Sequence, residues 1–561
     1  MSSLWLHPAL PFVMAAALVP MVGRSGRRLL SVVAPAIALL SLWALGAGDT
    51  ITVSAAGHEW VLLRLDGLST AFAIAFIAYG LIAAIYAWTE EGTGAKVASV
   101  GLAGAGVGVV LAGDLLSLFF FWEWLTITSL FVVWFGRRPD AWDAGFRYLI
   151  FHLAGAMVML AGILLRLMDG DVAFEPMATD RLSSWLILGG MVTNAAVPPL
   201  HAWLSDAYPR ASVYGTVFLA AFTTKGAVYA LARGFAGVEL LVWAGAIMAL
   251  FGVIYAVLEN DIRRLLAYHI ISQVGYMVAG VGLGTALALN GTTAHAFSHI
   301  FYKGLLMMSA GAVIYATGRE KLTELGQLAG PLRWTLVLMM IGAFSISGVP
   351  LFNGFVSKSM VVSASGYAGR APIELMLLVA SMGTFLHTGL KLPWFTFFGS
   401  DQGARVQRPV PASMYLAMGL AAVICFVTGV IPGSTLYALL PFDATYDPFT
   451  AHHFIESLQL LIGTALGFWL LRAKLGGQPT VTLDVDFLYR QPLFWITDRS
   501  GAAAEWVGQQ ARTATARTIA ASWSSLGRYE SRQDRVSLAF NASVVAAALA
   551  AVAALILFLH H

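Results

Sequence analysis

Cysteine is nearly absent from this chain. Cys425 is the single one among 561 residues, which excludes an intrachain disulfide and any multi-cysteine metal or iron–sulfur site. Charge is scarce too: 11% of residues are charged and 58% hydrophobic, where a soluble chain carries about twice that charged fraction. A net charge of +3 is too small to draw nucleic acid. The sequence also lacks a phosphate-binding glycine loop, a dinucleotide loop after a strand, and a His/Glu motif of zinc-protease type. ATP-driven pumping and a bound cofactor are therefore not expected within this chain. The opening "MSSLWLHPALPFVMAAALVPMVG" has no basic n-region, so it reads as a first span and not as a leader.

What the sequence has in abundance is long apolar runs. A β-barrel would show short alternating segments instead. The expectation is an all-α polytopic membrane protein with about sixteen spans of ~20 residues. They fall near 4–22, 29–46, 67–88, 97–113, 115–135, 144–168, 182–204, 213–234, 238–258, 263–288, 292–316, 334–362, 371–398, 411–431, 452–472 and 537–559. With the N-terminus outside, inside loops collect Arg24, Arg27, Arg28, Arg137, Arg138, Arg263, Arg264, Arg319 and Lys321, among others. Outside loops hold Arg64, Arg181, Arg233 and Arg370. That bias obeys the positive-inside rule and puts both termini on the outer, periplasmic side of a cell inner membrane.

The expected organisation is N-terminal spans over 1–95, a core over 96–400, peripheral spans over 401–474, a polar segment over 475–536 and a last span within 537–561. The polar segment mixes charge with Trp, Phe and Leu. It suits a stretch lying on the cytoplasmic face or along a neighbouring subunit, or else a linker. Two core spans look broken: "VTNAAVPPLHAWLSDAYP" with Pro198 and Pro199, and "FSISGVPLFNGFVSKSM" with Gly348, Pro350 and Gly354. Proline removes a helix hydrogen bond, and freed carbonyls are tolerated at membrane depth only against protein or a watery cavity. Two such interruptions, in corresponding places, point to repeats over about 97–234 and 238–398.

Ionisable residues in mid-span carry the chemistry. Glu123 sits in "LFFFWEWLTITSL", Lys225 in "FLAAFTTKGAVYALAR", and Lys358 just after the second break. His295, His299 and Lys303 recur at steps of four. On a helix they share a sector of about 80° and cover ~12 Å of depth. Histidine titrates near neutral pH and a buried lysine shifts toward it, so such a ladder suits a proton relay. Each charge in lipid costs about 2.5–3.5 kcal/mol, which makes these residues functional candidates. Lys391 either joins them or snorkels and braces the helix before Pro393. His152 and His269 read as structural donors. "HAFSH" has zinc-like spacing without an evident third ligand, so no metal site is expected.

The stretches "PPLHAWLSDAYPRAS", "AFTTKGAVYALAR", "DIRRLLAYHIISQVGYM", "HAFSHIFYKGLLMMSAGAVI" and "GVPLFNGFVSK" together resemble the antiporter-like membrane-subunit family. That family joins the large subunits of Mrp-type Na+/H+ antiporters to the proton-pumping membrane-arm subunits of respiratory complex I. "TLDVDFLYR" resembles the D-type branch of the Mrp large subunits. The resemblance implies about fourteen core spans, two inverted five-helix repeats and a central polar axis. By motif it assigns proton transfer to Glu123, Lys225, His295, His299, Lys303, Lys358 and Lys391, with Asn194, Pro199 and Pro350 lining the path. One departure stands out. The family has a lysine seven residues before the histidine of the first broken helix, and here that position is Asn194. Either Lys225 then partners Glu123, or this half conducts differently or not at all.

The resemblance implies a proton-translocating, non-enzymatic subunit of a hetero-oligomeric cation (Na+)/H+ antiporter in the lipid bilayer. The alternatives are a pumping subunit of a complex I-like or hydrogenase-like redox complex, and a coupling subunit for inorganic-carbon uptake.

Overall fold

The computed structural model describes residues 4–476 except Ala56, together with Asp484, Val485 and Phe487. Most of the polar segment expected over 475–536, and all of the span expected within 537–561, lie outside the described residues. The larger compact unit, Met1–Val53 with Trp60–Thr482, contains the site; Ser54–Glu59 groups with the second.

Among the described residues the α-helices are α1 (Leu10–Leu18), α2 (Arg24–Trp43), α3 (Gly67–Tyr86), α4 (Thr93–Leu111), α5 (Leu115–Trp134), α6 (Ala141–Met168), α7 (Leu182–Asn194), α8 (Ala202–Ala207), α9 (Gly215–Gly234), α10 (Glu239–Leu258), α11 (Ile262–Leu283), α12 (Ala286–Thr317), α13 (Arg333–Ser347), α14 (Asn353–Tyr367), α15 (Ala371–Thr384), α16 (Ala412–Val430) and α17 (Ala451–Leu471). Twelve helical segments among these residues are long and apolar enough to cross a membrane. Polar residues at the ends set where they start and stop. Asp261 accepts from the backbone N–H of Arg263 and Arg264 at the head of α11, and Thr285 caps α12. Gly284 and Gly318 close α11 and α12 in the left-handed conformation. A pair of strands, β1 (Thr50–Ala55) and β2 (His58–Arg64), forms a hairpin that the span reading passes over. The alternation in "TITVSA", the first strand, is its period-2 signature.

Both expected breaks are present. The first span divides into α7 and α8 across Ala195–His201, and the second into α13 and α14 across Gly348–Phe352. Pro199 and Pro350 lie in these gaps. Each gap also holds a non-glycine residue with positive φ, Ala196 at 58° and Leu351 at 73°. Such backbone costs about 1–3 kcal/mol and persists only where its surroundings hold it.

Three helices that carry mid-span bases are the most enclosed. The most apolar windows of α9 and α11 are 100% buried and that of α12 is 89% buried, against 11% for α17. Glycine makes the enclosure tight. A Cβ on Gly245 of α10 would lie 2.2 Å from the Ala279 nitrogen of α11, and one on Gly275 would lie 2.5 Å from the Ala249 nitrogen. Only glycine permits this backbone approach, the small-residue packing by which helices associate in lipid.

Candidate functional site

α12 runs unbroken through the centre, so the four-residue spacing delivers the expected stripe. His295, His299 and Lys303 are all fully buried. His295 Nδ1 lies 3.0 Å from Ser357 Oγ on α14, and its Nε2 lies 3.4 Å from Tyr302 Oη. Both ring nitrogens of His299 and the Lys303 Nζ are buried with no hydrogen-bond partner among the described residues. Buried polar groups of this kind need water to satisfy them, and water is also what a proton relay needs.

Lys225, on α9, faces this stripe. Its Nζ donates to the Ala220 carbonyl at 2.7 Å and to Thr224 Oγ1 at 3.1 Å. It lies close enough to His295, His299 and Lys303 to act on each electrostatically. No ion pair joins it to Glu123 among the described residues. Glu123 instead has a buried Oε1 without a hydrogen-bond partner among the described residues and borders an apolar groove of about 660 Å³ lined by residues of α1 and α5 such as Leu10 and Trp124. The structure therefore does not bring together the Glu123–Lys225 pair that charge alone suggests.

Towards the end of the bundle that carries Arg263 and Arg264, the line continues through residues that sequence reasoning sets aside or misses. His269, on α11, reads as a structural donor in the sequence. Its Nδ1 lies 2.9 Å from Thr388 Oγ1 and its Nε2 lies 3.3 Å from Thr384 Oγ1. The His387 ring stands perpendicular to it at 4.5 Å. Lys303 acts electrostatically on both histidines. Lys391 Nζ then donates to the carbonyls of Val257 and Glu259, at 2.6 and 2.9 Å, where α10 ends. Beyond the span, burial pushes the Glu259 carboxyl above its ordinary range, against the opposing pull of Arg264 at 3.1 Å. His387 and Lys391 are themselves four residues apart, the same spacing that marks the α12 stripe. That signal is present in the sequence, but α15 passes here into two π-helical stretches, Phe385–Lys391 and Trp394–Phe398. A π-turn changes which residues share a face, and such turns gather at functional sites.

Lys358 lies at the opposite end of the stripe. Its Nζ donates to the Ile346 carbonyl at 2.8 Å, a group that the second break leaves free, and sits 5.3 Å from the centre of the Tyr276 ring. It lines a cavity of about 50 Å³ that extends past Ser347 and Ser381 to His453, Glu456 and Ser457 of α17. This volume holds a few waters. Ser457 Oγ donates to the Gly348 carbonyl at 2.7 Å, which fastens α17 over the break.

The first break also holds a residue at positive φ, Ala196, but it precedes the prolines, whereas Leu351 follows Pro350. Asn194 ends α7, is 1% exposed and faces His152. The His152 ring stacks on Tyr148 at 4.0 Å.

Residues 112–386 match the family described as NADH:quinone oxidoreductase/Mrp antiporter, TM. The N subunit of the NADH-quinone oxidoreductase of Desulforudis audaxviator is 32% identical over 419 residues, 68% of this chain and 83% of that relative. The D-type subunit of the Na+/H+ antiporter of Alkalihalophilus pseudofirmus is 29% identical over 327 residues, 54% of this chain and 66% of that relative. Among solved structures, a chain of the Mrp complex from a Dietzia species superposes with a TM-score of 0.74 at 24% identity, over 99% of this chain and 63% of the other. That last likeness is one of fold.

Proposed function

We propose that this chain, which belongs to the NADH:quinone oxidoreductase/Mrp antiporter membrane-subunit family, is the proton-translocating subunit of a multisubunit Na+/H+ antiporter. It is a transport subunit, not a catalytic one. Its partners are other membrane subunits, and it spans a cell inner membrane with both termini outside. The observation that carries this reading is the line of buried bases through the enclosed helices. From the Arg263 end it passes Glu259, Lys391, His387 and His269. It then climbs Lys303, His299 and His295, flanked by Lys225, and reaches Lys358 and its cavity. By the positive-inside rule the Arg263 end is cytoplasmic.

Each member of the line is a base that can take up a proton and release it again. A row of such groups can hand a proton from one to the next. Hydroxyls of Thr384 and Thr388 stand at His269, and those of Ser357 and Tyr302 at His295. Glu123 stands off this path.

The test is Na+-driven proton uptake by proteoliposomes containing the complete complex. Lys303→Ala is expected to reduce the rate by about 100-fold or more, the usual cost of losing a proton-transfer group. Undiminished uptake would overturn the reading. A second reading is favoured by the 32% identity to a subunit of an NADH-quinone oxidoreductase. In that case quinone-reducing partners copurify, and proton movement follows electron transfer and not Na+.

A further inference from the structure

The cavity at Lys358 opens beside a cluster that the proton line does not use. α17 begins with "TAHHFIES", residues 450–457. The potential ligand atoms of His452, His453 and Glu456 all lie within 4.8 Å of one another. His452 and Glu456 are four residues apart and His453 and Glu456 three, so all project from adjoining faces of one helix. His452 is exposed, Glu456 partly exposed and His453 buried, so an ion can reach the cluster from outside the protein.

Three further observations point to a cation. The His453 Nε2 is held 3.0 Å from Tyr446 Oη, which is itself 3.1 Å from Ser363 Oγ on α14. The other ring nitrogen, Nδ1, is buried without a partner among the described residues. An imidazole fixed through one nitrogen with the other left bare is the arrangement that outer hydrogen bonds give a metal ligand. Lastly, acid surrounds the cluster: Glu374 of α15 acts on Glu456, and Asp447 acts on His453. These carboxylates offset the positive end of the α17 dipole, which disfavours a cation in a first turn.

We infer that His452, His453 and Glu456 bind a divalent transition-metal ion of the zinc class at the mouth of the Lys358 cavity. Two imidazoles and one carboxylate form a ligand set suited to Zn2+, with a fourth position left for water. A bound ion places fixed positive charge across the mouth and obstructs protons leaving by it. That consequence rests on the proposed proton path, whereas the site itself does not.

The experiment is a Zn2+ titration of the purified complex in competition with a chromogenic chelator. Wild type is expected to hold one Zn2+ per chain at this site, and His452→Ala and Glu456→Gln each to weaken it by about tenfold or more. His452 is exposed, so its replacement leaves folding intact. Equal affinity and stoichiometry in wild type and both variants would overturn the site. In proteoliposomes, Zn2+ is expected to slow proton uptake by wild type and to spare His452→Ala. Equal inhibition of the two overturns the obstruction. Absence of uptake before Zn2+ is added counts against the proposed transport function and leaves the chelator result standing.

Discussion

The two halves of the core share a backbone device and differ in what they do with it. Each has a broken helix, α7–α8 and α13–α14, with a non-glycine residue held at positive φ in the gap. In the second half the freed Ile346 carbonyl receives Lys358, and bases extend from there on α11, α12 and α15. In the first half Asn194, at the end of α7, faces His152, and Glu123 borders an apolar groove. Lys225, although it follows the first break in sequence, looks toward the second-half stripe. A broken helix is thus present with and without a mid-span lysine beside it. The two features are separable, because backbone geometry depends on proline and packing, whereas proton transfer depends on a titratable atom at one position.

The comparison can be broken at several points. After the loss expected for Lys303→Ala, the largest effect should come from His269→Ala combined with His387→Ala. Removing two relay groups that water can partly replace is expected to slow Na+-driven proton uptake by about tenfold, measured in the same proteoliposomes. A rate equal to wild type would remove the link between Lys303 and Lys391. In the first half, Glu123→Gln and Asn194→Lys are each expected to leave the rate within about twofold of wild type. A large change from either would restore the first half as a working path.

A separate effect, on stability and not on transport, concerns the charged loops at the Arg263 end. Burial alone would raise the Glu320 carboxyl, but Arg138, at 2.7 and 2.9 Å, and Arg263, at 3.1 Å, hold it below its ordinary range. A carboxyl lowered in this way stabilises the fold above its unfolded pKa, and that stability is lost as pH falls through the folded pKa. Glu320→Gln should therefore cost about 1 kcal/mol at neutral pH, given the partial exposure of the pair. The difference in Tm from wild type should shrink as pH falls through that lowered pKa. A constant difference across pH would show that the ion pairs contribute nothing.

Much of this is legible in the residues because lipid punishes irregularity. Long apolar runs leave few options but helices, proline pairs mark where those helices fail, and a mid-span lysine is costly enough to need a reason. His295, His299 and Lys303 can be read as one stripe because a single helix relates them. Contacts between helices cannot be read that way. His269 resembles a structural donor because nothing in "LAYHIISQVGYM" says that His387, 118 positions later, stands 4.5 Å away. Glu123 and Lys225 are natural partners by charge, but the rotation of α5 points the carboxylate elsewhere. The hairpin over Thr50–Arg64 is lost between two spans, although its alternation is plain.

The sequence by itself determined the membrane-spanning helices, the two breaks and the depth of each buried base, since all of these follow from transfer into lipid and from the geometry of one helix. Only the tertiary structure decided which bases form a line, because rotation of a helix about its own axis is set by its neighbours. Gly245 and Gly275 let α10 and α11 meet backbone to backbone, and on α11 His269 meets His387, a contact that no single helix encodes.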